Sequence, residues 1–398
     1  MTDPGLPEAP GDLAALAELV AEVVGVRAGV PDGARVADRA EVRAAVHDGL
    51  LPHLLALGPS EVRAHDDGDV AVRFGPDTPD GLLLVGYVVA QHGDPSVIGV
   101  DVEATPDGPR VAGRGAAQAR GALAAGLAAV AEVARAGSPW ARPVWFGLNT
   151  EDRSSHGGST RLLDQLGVRA RRGVVLTGTD LRVSRANRGR VDLVVTVTGR
   201  AGHSSRPDLA DNPLRRLPAV LDALRSAPLP PAHPVLGAAA LEPFDVHGEP
   251  VAPHTIPERA VLTVDRRLLP GETPEEATAA LADHLRTTLG DVARVEAGAW
   301  MLPAEVPADD PFVTALADAV ARRGHPGEVV TSTHTFDAGL ACARGVPTVM
   351  FGPGRREFGA ALTAPESVLV RDCAVAAGAL AEVAGRWCRG QDWTRSGA

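Results

Sequence analysis

The chain has 398 residues, 45% of them hydrophobic, which is enough for a large core and more than one domain. Lys and Arg number 39 against 50 Asp and Glu, a formal charge of −11, so a broad phosphate-binding surface is disfavoured and nucleic acid is excluded as the expected partner. Three late cysteines (Cys342, Cys373, Cys388) make neither a disulfide framework nor a paired-thiolate zinc motif, the start is acidic and proline-rich, and no apolar run nears the ~20 residues of a membrane span; a cytoplasmic chain without membrane contact is expected.

In chain order, residues 12–28 carry apolar side chains at three-and-four spacing behind Asp12 as N-cap, an amphipathic helix, and a second helix follows at about 38–57. DVAVRF (69–74) alternates like an exposed strand, whereas LLLVGYVVA (82–90) is a continuous apolar run of the kind buried in parallel sheets. A hairpin-like stretch to Val111, the alanine-rich helix GALAAGLAAVAEVARA (121–136) and the strand PVWFGLN (143–149) complete a strand-helix-strand rhythm, which predicts an α/β sheet with helices on both faces.

From Gly189 the rhythm changes. GRVDLVVTVTGRAG reads as a strand, NPLRRLPAVLDALRSA as a helix, PVLGAAALEPFDVHG and RAVLTVDRRLL as strands, TPEEATAALADHLRTTLG as a helix and VARVEAGA as a strand. That order is the split βαβ unit of a ferredoxin-like domain, with PLPPAHP (228–234) as a stiff connection inside it. After about residue 300 the earlier style returns with DPFVTALADAVARRG, VPTVMFG and VRDCAVAAGALAEVAGRWC, and the last ten residues read as frayed. The predicted domains are therefore 1–188 with 301–398, interrupted by 189–300.

Four stretches in order, VAGRGAAQARGALAAGLAAV, RVSRANRGRVDLVVTVTGRAGHSSRP, TIPERAVLTVDRRLLPGETPEE and GVPTVMFGPG, resemble the zinc aminoacylase, carboxypeptidase G, acetylornithine deacetylase and succinyl-diaminopimelate desuccinylase peptidase family. The resemblance covers nearly the whole chain and implies a zinc-peptidase-like α/β domain with an inserted ferredoxin-like lid that also makes a homodimer. It also implies two zinc ions held by five side chains, with a sixth carboxylate as general base, chemistry that imidazole and carboxylate donors suit.

Carried onto this sequence, those positions hold other residues. The first ligand histidine and the aspartate two residues later fall on Tyr87 and Val89, and the bridging aspartate on Gln118. The tandem glutamates, base then ligand, fall on Asp152 and Arg153; the remaining ligands fall on Thr177 and Leu362. The expectation is a homologue whose dizinc site is degenerate, needing no metal and no cofactor.

Other family positions persist. His203 matches the lid histidine that reaches into the partner's site, Arg267 matches the arginine that takes a substrate carboxylate, and His254 stands where Asn is usual. Arg153 forms either a structural pair with Asp152 or a fixed positive group for an anion. Arg266 reads as solvated, His156 as a solvent-facing turn residue, and Asp337 and the glycine-proline-glycine turn at 352–354 as turn residues near the pocket. A relocated metal site would draw on His92, Asp94, His156 and Asp180. GRGAAQARG lacks the spacing of a dinucleotide fingerprint.

Three functions follow: a metal-free relative that binds a small carboxylate-bearing amide or peptide-like ligand or serves as a dimeric partner; a metal-independent enzyme of amide or ring-forming chemistry using Asp152 and His203; and a hydrolase with relocated ligands.

Overall fold

The computed structural model describes residues 6, 12–26, 40–89, 99–137, 139–151, 155–354 and 366–393. It divides into two compact units: Met1–Ala186, Glu305–Thr331 and Asp337–Ala398 form the first, and Asn187–Ala304 with Ser332–Phe336 the second.

The first unit is built on a mixed sheet. In spatial order its strands are Glu61–Ala64, Val70–Phe74, Val144–Asn149, Gly81–Tyr87, Ala170–Leu176, Thr348–Phe351, Val183–Asn187 and Ala304–Glu305, with Val329–Ser332 also pairing Val183–Asn187. The four strands from Val144–Asn149 to Thr348–Phe351 run parallel, so their carboxyl ends share one edge.

The apolar run at 82–89 is continuous because both faces of its strand are covered. Leu82 and Leu84 enter the main core with the helices Leu13–Gly25, Gly121–Arg135, Pro311–Ala321 and Val370–Cys388, whereas Leu83 and Val85 join Trp145, Leu162 and Val168 in a smaller cluster. A period of two thus feeds two cores from one segment.

The strand Val70–Phe74 is buried throughout, not exposed on one face. It lies between two neighbours, and its single charge is sheltered: the Arg73 guanidinium donates to Glu61 and lies over the Trp145 ring. The second helix is three joined pieces, Ala40–Ala44, a wider π-type segment Ala45–Leu50, and Leu51–Leu55. Beyond Cys388 residues 389–392 are exposed, but Trp393 is buried: it stacks on Trp387 at 4.3 Å, touches Phe312 and donates its indole N–H to the Val383 carbonyl. Aromatic burial anchors the chain at Trp393, and the rest of the segment expected to fray, residues 394–398, lies outside the described residues.

The second unit has four antiparallel strands in the order Ala240–Glu249, Arg259–Leu268, Gly189–Thr198, Ala293–Met301, with helices Leu217–Arg225 and Pro274–Leu289. This is the ferredoxin-like arrangement. Val191, Leu193, Val195 and Val197 alternate into its core with Leu262, Val264 and Leu281. Thr273 and Glu276 close a reciprocal capping box at the start of the longer helix, which is how the TPEE sequence begins it. Among the described residues no helix is long and apolar enough to cross a membrane.

Candidate active site

Ligands of open α/β sheets sit beyond the carboxyl ends of parallel strands. Here that edge aligns Asn149 with Tyr87 and Gly86 with Leu176, and Phe351 pairs with Leu176 on the far side. A buried polar network lies against this edge. Tyr87 Oη donates to Asp337 Oδ2 at 2.6 Å and accepts the Asp337 backbone N–H at 3.2 Å. Asn149 Nδ2 donates to the same carboxylate oxygen at 3.3 Å, and His156 Nδ1 meets Oδ1 at 3.0 Å. The His156 and Asp337 side chains are only 2% and 3% exposed, so each must find its partners inside the protein.

Several local features hold these groups. Asp337 precedes the short helix Ala338–Ala343, His156 precedes Gly157–Thr160, and Asn149 Oδ1 accepts the Glu151 N–H, turning the chain off the strand. His156 is therefore a buried partner of Asp337, not the solvent-facing turn residue its glycine neighbours imply. The network depends on a contact across 181 positions, which no local pattern encodes.

Gln118 and Thr177 come together beside this edge, but through the backbone. The Gln118 carbonyl accepts from Thr177 Oγ1 and from the Gly178 N–H, each at 2.8 Å, while the Gln118 N–H donates to Glu366 Oε2. Behind this turn, Arg120 is buried and donates to the carbonyls of Val24 and Val88; burial lowers its pKa to about 10, so it remains a cation at neutral pH. The glycine-proline-glycine turn has a structural part: the Gly352 and Gly354 carbonyls accept from Leu181 and Asp180, two residues in left-handed backbone that needs such support.

A charged cluster flanks the network. Arg161 bonds Asp69, Glu151 (2.8 Å) and Asp67 (3.3 Å), and Asp69 also accepts the Thr150 N–H. Burial pushes the Asp69 carboxyl up despite the adjoining Arg161 guanidinium. Sequence reasoning missed this cluster, as it missed Asn149.

Asp152, Arg153, Leu362, His92 and Asp94 lie outside the described residues. Of the other groups considered for a relocated site, His156 is taken by Asp337, and Asp180 is exposed beside Arg182. Among the described residues, no group of three or more His, Cys, Asp or Glu side chains could hold a metal ion.

In the second unit His203 and His254 are neighbours, with ring centroids 6.1 Å apart and the Ser204 N–H donating to the His254 carbonyl. His254 adopts left-handed backbone at φ 56°, a conformation that Asn takes readily and His less so. Arg267 donates to Asp265 at 2.8 Å within a lattice that includes Arg190 and Asp192 on the adjoining strand. Burial raises the Asp192 carboxyl there, against the pull of Arg190. Arg266 points the other way and is buried, 5% exposed, with its guanidinium on Glu272 and the Arg267 carbonyl, which corrects the reading of it as solvated.

The sequence of residues 185–293 matches the peptidase dimerisation domain model. Succinyl-diaminopimelate desuccinylase of Rhodospirillum centenum is 33% identical over 248 residues, 58% of this chain and 61% of that protein's length. The Novosphingobium aromaticivorans enzyme of the same name is 30% identical over 295 residues, 71% of this chain and 76% of its own. The chain belongs to the M20 peptidase family. Solved structures agree on the fold: a tripeptidase from Staphylococcus aureus superposes with a TM-score of 0.71 at 17% identity, over 95% of this chain and 99% of that one. An M20 family metallo-carboxypeptidase from Sulfolobus solfataricus gives 0.71 at 14% identity, with the same coverages. The M20 fold is thus a catalytic-type α/β domain with an inserted lid and dimerisation domain.

Proposed function

We propose that this M20 member keeps the family's fold and pocket without zinc hydrolysis, and binds a small carboxylate-bearing amide or peptide-like ligand as a homodimer joined through its lid. The carrying observation is the engagement of Tyr87, at the position of the first metal ligand, with Asp337: a fully buried phenol whose hydroxyl is already bonded to a carboxylate. The neighbouring positions support the same reading. Gln118 offers a neutral amide and Thr177 a hydroxyl bonded to a carbonyl, so neither brings the anionic charge that two dications demand. This donor set does not fit a dizinc centre, and Arg120 already places a positive charge nearby.

Arg267 and His254, with Arg153, are the proposed ligand contacts, and His203 the group offered to the partner subunit. The homodimer is supported by the dimerisation-domain match and by an unpaired edge: among the described strands, Ala240–Glu249 pairs only with Arg259–Leu268, and its Phe244 and Val246 are 61% and 53% exposed.

The deciding experiment is elemental analysis of protein purified without chelators, together with cleavage assays on acyl-amino acids and small peptides. Substoichiometric zinc with no chelator-sensitive cleavage is expected. Two zinc ions per subunit with cleavage abolished by chelator would overturn the reading.

One observation favours a second reading, a metal-independent enzyme. A buried carboxylate on imidazole Nδ1 fixes the orientation of the ring, and Asp337 holds His156 in that way beside the segment that carries Asp152. In this reading Asp152 is the acid/base and His203 the stabiliser, with His156 a buried positioning residue. Asp152→Asn, His156→Ala and His203→Ala, assayed on an identified substrate, separate it from pure binding by loss of turnover with affinity retained.

A further inference from the structure

The helix Gly121–Arg135 is apolar along its length except for Glu132 and its terminal Arg135, and nearly every residue of it from Gly121 to Val133 is buried. Glu132 is the exception, and it faces a cavity of about 240 Å³ bounded by the helix Val370–Cys388. Ala381 and Gly385 form the floor on that second helix, Glu382, Arg323 and Arg389 the rim. The arrangement is charged but incompletely paired. Arg323 is committed to the Ala319 carbonyl and to Glu382, and Glu382 is further held by Arg322. Glu132 Oε2 is buried with no hydrogen-bond partner, and the Arg389 side chain makes no hydrogen bond among the described residues. Burial raises the Glu132 carboxyl, with Arg323 pulling the other way.

Small residues keep this space open. A side chain at Gly385 would meet the Arg389 guanidinium at 3.3 Å, and one at Gly378 would meet Arg323 Nε at 2.6 Å. Gly378 and Gly385 are seven residues apart and so share one face of the helix, one glycine beneath each arginine. A carboxylate with an unpartnered buried oxygen at one end and an exposed guanidinium with no protein acceptor at the other define a ligand with the opposite polarity.

We propose that this cavity binds a small amino-acid-like zwitterion, its ammonium on Glu132 and its carboxylate on Arg389. The cavity is smaller than those that enclose drug-sized ligands, which suits a free metabolite. It belongs wholly to the α/β unit and shares no lining residue with the network at the sheet edge, so the proposal stands independently of the function proposed above.

Ligand-observed saturation-transfer NMR with three probes tests it: L-lysine, n-butylamine and butyrate, each titrated to about 10 mM, a range suited to weak metabolite sites. Saturable transfer to L-lysine exceeding that to either single-charge probe is expected, with affinity falling about tenfold or more in both Glu132→Gln and Arg389→Ala. Denaturation curves for both variants control for folding. No saturable binding of L-lysine, or equal affinity in folded Glu132→Gln, would overturn the proposal. Glu132→Gln that only raises the melting temperature would mark Glu132 as a buried carboxyl without a ligand, which overturns it as well.

Discussion

The Tyr87 hydroxyl and the Asp337 carboxylate meet at 2.6 Å although 250 positions separate them, tying the end of a parallel strand to the start of a helix on the carboxyl edge of the sheet. Tyr87→Phe removes that donor and leaves Asp337 with Asn149 and His156. A loss of about 2–3 kcal/mol is expected, because the buried carboxylate forfeits one strong hydrogen bond and the Asp337 N–H loses the Tyr87 oxygen as acceptor. Urea denaturation with an unchanged slope would show it.

Metal supply should leave the protein indifferent. Dialysis against chelator is expected not to move the melting temperature, and zinc added back is expected to give no stabilisation; a specific site filled at a hundred times its Kd would add about 2.7 kcal/mol. Tyr87→His alone should not change this, since Gln118 and Thr177 still supply no anionic donors. Zinc titration by calorimetry checks both statements.

Acid should selectively erase one ion-pair cluster. The Glu61 carboxyl is held below its ordinary range first by hydrogen bonds from Arg63, with burial opposing and Arg73 adding to the effect. A depressed folded pKa contributes stability that is present above the ordinary carboxylate value of ~4.3 and lost as pH falls through the folded value. Glu61→Gln should therefore cost about 1 kcal/mol at neutral pH, a partly exposed pair being discounted for screening. The gap between variant and parent should close below about pH 4 in denaturation midpoints measured across that range.

Phe244 and Val246 are large apolar side chains standing out from an unpaired strand. Phe244→Asp is expected to convert the proposed homodimer to monomer in light scattering coupled to size exclusion, with far-ultraviolet circular dichroism unchanged. Persistence of the dimer would remove this edge from the interface.

His254 provides a backbone test. At φ 56°, His254→Asn should be neutral to within a few tenths of a kcal/mol, whereas the β-branched His254→Val should cost about 1–2 kcal/mol. Paired thermal melts distinguish a conformational constraint from a side-chain contact.

Periodic features were readable from sequence. The strand Gly81–Tyr87, the alternation at 189–198 and the Thr273–Glu276 cap each carry their structure locally, through side-chain period or a hydrogen bond three residues long. Partnerships were not. Arg266 looks solvated beside Arg267 because strand alternation alone does not say which face is covered, and its Glu272 partner comes round a turn. The burial of Val70–Phe74 follows from having a neighbour on each side, a property of strand order and not of the segment. Tyr87, Gln118 and Thr177 were identifiable only by position, and what each does instead of its family role depends on Asp337, Glu366 and backbone carbonyls that sequence does not juxtapose.

The insertion of one unit into the other bears on how the chain is made. Every residue of the lid's core falls between Val191 and Leu285, so a nascent polypeptide holds all of it well before the helix Val370–Cys388 is translated. The larger core joins Leu16 and Val20 to Leu380 and Trp387, so the part of the first helix that packs on Val370–Cys388 stays uncovered until that last helix is made. Units that close early fold as they emerge, whereas widely separated contacts must wait. All buried residues of the lid's core are therefore in place on a growing chain before the core of the α/β unit can be complete.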